Sequence, residues 1–69
     1  MKEEAVQRIG DRVRRMREEQ GIGKGEFALM VGISRPYLNR IENGTANVTV
    51  KMLVRVAEGL DVDAIDLLK

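Results

Sequence analysis

The sequence of 69 residues contains no cysteine and no histidine, and its only aromatic residues are Phe27 and Tyr37. The absence of cysteine excludes disulfides and thiolate metal sites, and the absence of histidine leaves only oxygen ligands for a metal ion. No acidic ligand loop is visible, so we expect no metal site and no cofactor. We also find no nucleophile–base pair and no phosphate-binding glycine loop, and we therefore expect no enzymatic activity.

Long hydrophobic runs are missing as well. No stretch is apolar for long enough to cross a membrane, and no segment resembles a secretory signal, so we expect a soluble intracellular protein with no membrane partner. Hydrophobic residues nevertheless make up 43% of the chain, which is enough to fill a small core. The length predicts one domain over residues 1–69, near the lower limit for folding without disulfides or metals.

The charges nearly cancel overall, with 12 basic and 11 acidic residues and a net charge of +1. Their distribution along the chain is uneven. Arginines are concentrated between residues 8 and 17 and recur at positions 35 and 40, whereas acidic residues gather between positions 58 and 66. A molecule that is basic at one end and acidic at the other is compatible with a nucleic-acid-binding face.

Apolar residues recur at helical spacing throughout, and no stretch alternates like a strand. We expect an all-α domain of five helices, covering residues 3–20, 24–31 and 34–43, a fourth helix that begins after the N-cap Thr49, and a short fifth helix over residues 63–68. Asp63 can cap this last helix and Asp66 occupies the capping-box position. The spacing predicts these buried residues for helix 4: Val50, Leu53, Val54, Ala57 and Leu60.

The third helix carries the most informative pattern. Ser34 is a candidate N-cap, Pro36 is tolerated in a first turn, and Gly44 can take the left-handed conformation that ends helices. Leu38 and Ile41 are three residues apart, so they share one face and can anchor the helix to a core. The other face offers hydroxyl, amide and guanidinium groups, which suit the major groove of DNA.

The second helix completes a helix-turn-helix pattern with the third. Two helices that cross closely through a tight turn need a small residue at the crossing, which Ala28 supplies, and a turn residue free to take positive φ, which Gly32 supplies. Apolar residues stand before the turn, directly after it and twice along the second helix of the pair. We therefore predict a helix-turn-helix formed by helices 2 and 3.

The motifs at residues 9–10, 14–21 and 32–35, and above all Tyr-Leu-Asn-Arg-Ile-Glu-Asn-Gly at 37–44, resemble those of the Cro/repressor-like (XRE-type) helix-turn-helix family. This resemblance extends over residues 9–68. It implies a five-helix lambda-repressor-like domain and a sequence-specific transcriptional regulator that binds double-stranded DNA. It also implies a cytoplasmic, nucleoid-associated protein encoded by a bacterium or phage.

The resemblance assigns roles residue by residue. Helix 3 would be the recognition helix, and the positions that match base-reading residues are Ser34, Arg35, Pro36, Asn39 and Arg40. The positions that match phosphate- or backbone-contacting residues are Lys24, Tyr37 and Asn43. The loop after helix 3 lacks the lysine or arginine often found there, so we also expect the hydroxyl of Thr45 to contact phosphate. Arg17 lies at the edge of the apolar stripe of helix 1, where a charge needs a partner, and Glu42 matches the family's partner for it.

Some of these residues have an alternative interpretation. Arg35 and Arg40 can be ordinary solvated charges instead of DNA contacts. Pro36 has no backbone donor, so it either touches a thymine methyl group or only stiffens the first turn, and the second reading is favoured. Arg8, Arg12 and Arg15 point to the far side of helix 1, and we interpret them as a solvated face.

One such domain reads only a few base pairs, so specificity is expected from a twofold homodimer on a palindromic operator with half-sites about one DNA turn apart. The candidate dimer residues are Met52, Val62, Ile65 and Leu68. The same apolar residues can instead pack helix 5 onto its own core. The alternative function is a protein-binding module, such as an antitoxin or an adaptor, which the acidic and apolar C-terminal end would favour.

Overall fold

The computed structural model describes residues 3–69, and the only regular elements in this range are helices. Four α-helices span Glu3–Glu19 (α1), Lys24–Val31 (α2), Arg35–Glu42 (α3) and Val50–Leu60 (α4). A 3-10 helix follows at Ala64–Leu67. The all-α prediction is confirmed, and residues 1 and 2 of the predicted domain lie outside the described range.

The helix ends follow the capping signals of the sequence. The Ser34 hydroxyl accepts a hydrogen bond from the Tyr37 N–H at 3.1 Å, and the Thr49 hydroxyl accepts one from Met52 at the same distance. These contacts satisfy amides that a helix start otherwise leaves unbonded. At the other end of α4, Asp61 adopts the left-handed conformation with φ of 59°, which aspartate tolerates better than most residues.

One hydrophobic core lies between the helices. Phe27, Leu38 and Leu60 have no exposed surface, and Val13 of α1 is equally buried. Small residues let the helices approach each other: a Cβ on Gly59 would lie 2.9 Å from Cγ2 of Val31. The core therefore joins α1, both helices of the turn, and α4.

The predicted buried face of α4 is partly wrong. Val50 and Val54 are exposed, whereas Val56, which the predicted buried face does not include, is buried. The reason is the contact of α2 with Gly59, since it turns the stripe that contains Leu53 and Val56 toward the core. Successive residues of an α-helix are about 100° apart around its axis, so Val50 and Val54 lie beside that stripe and not within it.

The predicted fifth helix is also wrong in type, because its backbone bonds join residues three apart. The N–H of Asp66 donates to the carbonyl of Asp63 at 2.9 Å, and the N–H of Leu68 donates to that of Ile65 at 3.0 Å. Residues three apart share a face of a 3-10 helix. Ile65 and Leu68 consequently lie together on the solvent side, while Leu67 is fully buried. Asp66 does take the capping position, accepting from the Asp63 N–H at 3.1 Å.

Within residues 3–69, no helix combines the length and the apolar character needed to span a bilayer.

Candidate nucleic-acid interface

The turn between α2 and α3 is built by glycine and by the last carbonyl groups of α2. Gly32 adopts φ of 82°, and the N–H groups of Gly32 and Ile33 both donate to the carbonyl of Ala28, at 2.9 and 3.0 Å. This left-handed residue redirects the chain in a single step, because only glycine enters that region without a steric penalty. Ser34 then starts α3. The tight turn predicted from Gly32 is confirmed.

Several contacts along α3 hold its inner face in place. Leu38 and Ile41 are buried in the core, and Glu42 at the end of the helix is only 2% exposed. Gly44 follows with φ of 76°, and the N–H of Thr45 returns to the carbonyl of Arg40 at 2.9 Å. The helix is therefore fixed along its length by one face, which leaves the other face free.

That other face carries the predicted base-reading residues. Ser34, Arg35, Pro36 and Arg40 are all exposed. Pro36 and Arg40 are four residues apart and lie opposite Leu38, so they share the outermost strip of the helix. Within residues 3–69, the guanidinium groups of Arg35 and Arg40 take part in no ion pair, and they stay available to an acceptor outside the protein. The Ser34 oxygen is used as a cap, but its hydroxyl hydrogen remains free to donate.

Asn39 differs from the other four predicted base-reading residues. The side chain is half-buried, and its Oδ1 is enclosed without a hydrogen-bond partner among the described residues. An enclosed amide oxygen that makes no hydrogen bond destabilises the conformation that holds it. The structure thus places Asn39 at the edge of the exposed strip, with its acceptor atom turned away from solvent.

The predicted phosphate contacts lie around the ends of α2 and α3. Lys24 is the first residue of α2 and is half-buried, while Asn43 and Thr45 are exposed beyond the end of α3. The Tyr37 hydroxyl donates to the carbonyl of Asn47 at 3.2 Å, and the Thr45 hydroxyl donates to that of Arg40 at 3.3 Å. Both hydroxyls are thereby positioned by the backbone, and each keeps lone pairs only, so neither can donate to phosphate in this arrangement.

The start of α2 offers donors that the sequence does not reveal. Gly23 is the N-cap and has no side chain to accept from the first amides of the helix. The first backbone bond runs from Phe27 to Gly23, at 2.9 Å, so the amides before Phe27 lack an intrahelical partner. Free amides at a helix N-terminus, together with the positive end of the helix dipole, favour an anion.

Arg17 and Glu42 form the ion pair that the resemblance implied. Nε of Arg17 lies 2.8 Å from Oε2 of Glu42 and Nη2 lies 3.1 Å from Oε1, a bidentate arrangement. Nη1 donates to the carbonyl of Ile22 at 2.8 Å, so all three guanidinium nitrogens donate a hydrogen bond. Hydrogen bonding of the guanidinium to the Glu42 carboxylate raises the pKa of Arg17 above its ordinary value, although burial lowers it. This pair joins α1 to the last residue of α3.

Arg55 makes a structural contact that the sequence does not predict. Its Nη2 donates at 2.7 Å to the carbonyl of Val31, one of the carbonyls left unbonded at the end of α2. Arg55 thereby holds α4 against the helix-turn-helix. No local signal marks this contact, because the two residues are 24 positions apart and belong to different helices.

The dimer candidates divide into two groups. Met52 and Val62 are half-buried and pack against the core of their own chain. Ile65 and Leu68 are 61% and 50% exposed, and they share the outer face of the 3-10 helix. Val50 and Val54 add two further exposed apolar side chains on α4. The most exposed large hydrophobic residue of the described range is Leu29 on α2, at 84%.

The comparisons with known proteins match this geometry. A family profile described as helix-turn-helix covers residues 13–67. The transcriptional regulator RamB of Mycobacterium tuberculosis is 43% identical over 56 residues, which is 81% of this chain and 12% of RamB. The antitoxin PezA of Streptococcus pneumoniae is 34% identical over 59 residues, or 86% of this chain and 37% of PezA. The chain thus spans a minor part of both relatives.

Among solved structures, the biofilm master regulator SinR in complex with DNA superposes with a TM-score of 0.81 at 35% identity. The superposition covers 88% of this chain and 98% of that one.

Proposed function

The chain belongs to the Cro/C1-type helix-turn-helix family of transcription regulators, and on this premise we propose that it binds double-stranded DNA sequence-specifically, with α3 in the major groove. The observation that carries the proposal is the division of α3 into two faces. One face is fixed by Leu38, Ile41 and the buried Glu42, and the opposite face presents two arginines without ion-pair partners in the described range. A rigidly held helix with free guanidinium groups suits reading of base edges.

In this proposal, the N-terminal half of α3 and the next turn read bases. Arg35 and Arg40 donate to the O6 and N7 atoms of guanine, and Ser34 donates its free hydroxyl hydrogen. Pro36 offers only apolar surface, which suits a thymine methyl group. Asn39 contributes after its amide turns outward, a movement favoured because Oδ1 is unpartnered in its present position.

Phosphate contacts fix the register of α3 on the duplex. Lys24 and the free amides of the first turn of α2 form one anchor, where charge and helix dipole act together. Asn43 supplies a side-chain donor at the other end of α3. Tyr37 and Thr45 contribute after their hydroxyls exchange a carbonyl of this chain for a phosphate oxygen. Arg8 and Arg15 lie on the far side of α1 and take no part.

We further propose that residues 1–69 form one DNA-binding unit that acts as a twofold homodimer on a palindromic operator. Support comes from the exposed pair Ile65 and Leu68, because contiguous apolar surface on a small domain marks an interaction site. The other two candidates, Met52 and Val62, are half-buried and pack against the core. A dimer places two copies of α3 about one turn of DNA apart, which supplies the specificity that one domain lacks.

Selection of bound duplexes from a random pool tests the proposal directly. We expect a palindromic sequence with two half-sites about 10 base pairs apart. Affinity for that sequence should fall steeply with salt, since each neutralised phosphate releases counterions. The matched control is Arg15→Ala, which removes one positive charge from the far side of α1 and should leave the selected sequence unchanged. A pool that yields no enriched sequence at low salt contradicts the proposal.

A second function is favoured by the acidic end of the molecule. Glu58, Asp61, Asp63 and Asp66 surround Val62 in an open depression of about 460 Å³, and the relative PezA is an antitoxin. In this alternative the chain docks a protein partner. Salt separates the two functions, because an adaptor would show equally weak binding to duplex DNA at low and physiological salt.

A further inference from the structure

Gly10 of α1 lies directly against the backbone at the end of α3. A Cβ placed on Gly10 would collide with the carbonyl oxygen of Ile41 and would lie 2.9 Å from that of Glu42. Both obstructing atoms belong to the backbone, so no change of side-chain rotamer relieves the collision. A glycine inside a helix is unfavourable compared with alanine. Close approach of the two helices is therefore the physical reason for glycine at this position.

Gly44 makes a second contact of the same kind one turn away. A Cβ there would lie 2.8 Å from the Cα of Gln7, and the residue also needs its φ of 76°. Gln7 and Gly10 are three residues apart and share one face of α1. The stretch from Gln7 to Gly10 thus packs backbone to backbone against the stretch from Ile41 to Gly44. By contrast, a Cβ on Gly25 would meet nothing within 4 Å.

This glycine seam, defined by Gly10 and Gly44, contacts only one end of α3. The Arg17–Glu42 pair acts at that same end. The other end, at Ser34, is fixed instead by the turn from α2. Widening the seam would therefore move the C-terminal half of α3 most, with the turn as the pivot, and Arg40 lies in the half that moves.

We propose that Gly10 is a positioning residue for DNA reading, and that the glycine seam sets the depth of the C-terminal half of α3 in the groove. This inference rests on the proposed function. A bidentate contact requires its donors at hydrogen-bond distance from two base atoms, so a displacement of a few tenths of an ångström at the seam weakens it. Contacts near the pivot, at Ser34 and Arg35, are affected least.

The test compares Gly10→Ala with Arg40→Ala, Arg35→Ala and the control Arg15→Ala, which changes the far side of α1. Each variant is examined in sequence selection and in binding to single-base variants of the selected duplex. The base pairs that lose preference in Arg40→Ala define the half read by Arg40, and those that lose it in Arg35→Ala define the other half. One bidentate contact supplies a preference of about 5- to 150-fold. We expect Gly10→Ala to lose most of the preference in the first set and to retain the second within about twofold.

Folding is checked by circular dichroism and urea denaturation. Gly10→Ala and the unsubstituted chain are also compared in sucrose, an osmolyte that favours the folded state without changing any residue of the interface. The inference is overturned by a folded Gly10→Ala that keeps the preference assigned to Arg40. It is overturned equally by a uniform loss over all base pairs, or by a variant that remains unfolded in sucrose. If the unsubstituted chain selects no sequence, the proposed function is wrong, and Gly10 then has no DNA-reading helix to position.

Discussion

Arg17 and Glu42 form a buried bidentate ion pair that joins the last turn of α1 to the last residue of α3. The side chains are 6% and 1% exposed, and the Nε–Oε2 distance is 2.8 Å. Because the pair lies next to the glycine seam, an ionic contact and a close backbone contact hold the same end of the proposed recognition helix. Both contacts act on the position of α3 and leave its outer face free.

Removal of one partner of this pair should be severe. Glu42→Ala leaves a buried guanidinium without its carboxylate, and such changes cost about 3–5 kcal/mol. A domain of this size has a free energy of unfolding of roughly 3–10 kcal/mol. We therefore expect the variant to lose at least about a third of its stability and to unfold at a much lower urea concentration. Arg17→Met combined with Glu42→Leu should recover part of the loss, because no charge then remains buried.

Asp11→Ala is the matched control for that measurement. Asp11 pairs with Arg14 at 3.0 Å, but both side chains are about half exposed. Exposed pairs contribute roughly 0–1 kcal/mol, so the urea midpoint should change little. An equal loss of stability in Asp11→Ala and Glu42→Ala would contradict the structural importance of the buried pair.

The contribution of Arg17 to stability should not depend on pH near neutrality. The hydrogen bonds that Arg17 donates to the Glu42 carboxylate raise the pKa of Arg17 in the folded state. A group of raised pKa contributes fully at pH values below its unfolded pKa, and that contribution disappears only as the pH rises through the folded value. Arginine stays protonated throughout the range used for proteins. The difference in unfolding free energy between the native chain and the double variant Arg17→Met/Glu42→Leu, in which no buried charge remains, should therefore be constant from about pH 6 to pH 9, measured by urea titration at each pH.

Lys24 and Arg40 should differ in the kind of binding that they support. Lys24→Ala is expected to weaken binding to all duplexes alike and to reduce the slope of log affinity against log salt by about one. Arg40→Ala is expected to lose about 1–3 kcal/mol of discrimination at particular base pairs. Fluorescence anisotropy with the selected duplex and a scrambled duplex measures both effects. Sequence-independent losses of equal size in the two variants would remove the reading role from Arg40.

Dimerisation should depend on the outer face of the 3-10 helix. Ile65→Glu places a charge on a side chain that is already 61% exposed, so the fold should tolerate it while the apolar contact between two copies is lost. Analytical ultracentrifugation at micromolar concentration should give a dimer for the native chain and a monomer for the variant. Leu29→Glu is the control, since Leu29 is exposed on α2, outside the predicted interface. A native chain that sediments as a monomer with and without operator would exclude the proposed dimer.

Local signals predicted most of the architecture. Ser34 and Thr49 start helices where their hydroxyls were expected to cap, and Gly32 supplies the turn between α2 and α3. These effects involve hydrogen bonds within four residues or one backbone conformation, so they can be read from neighbouring positions. The burial of Leu38 and Ile41 followed from helical spacing in the same way.

The errors arose where a distant element decided the outcome. Val54 and Val56 exchange their predicted environments because α2 packs on Gly59, which no spacing within α4 records. The type of the last helix was wrong because the burial of Leu67 governs its register. The site residues were named from the resemblance, and their contacts with DNA remain predictions.

By itself, the sequence determined where the helices begin and end, which residues form the turn, and that the arginines at 35 and 40 belong to a polar helix face. The tertiary structure alone decided that Oδ1 of Asn39 is enclosed, that Arg55 reaches Val31, and that Gly10 meets the carbonyl groups of Ile41 and Glu42. The physical reason is the range of the interactions. Caps and turns act between neighbours in the chain, whereas close packing depends on distances between helices that are far apart in sequence.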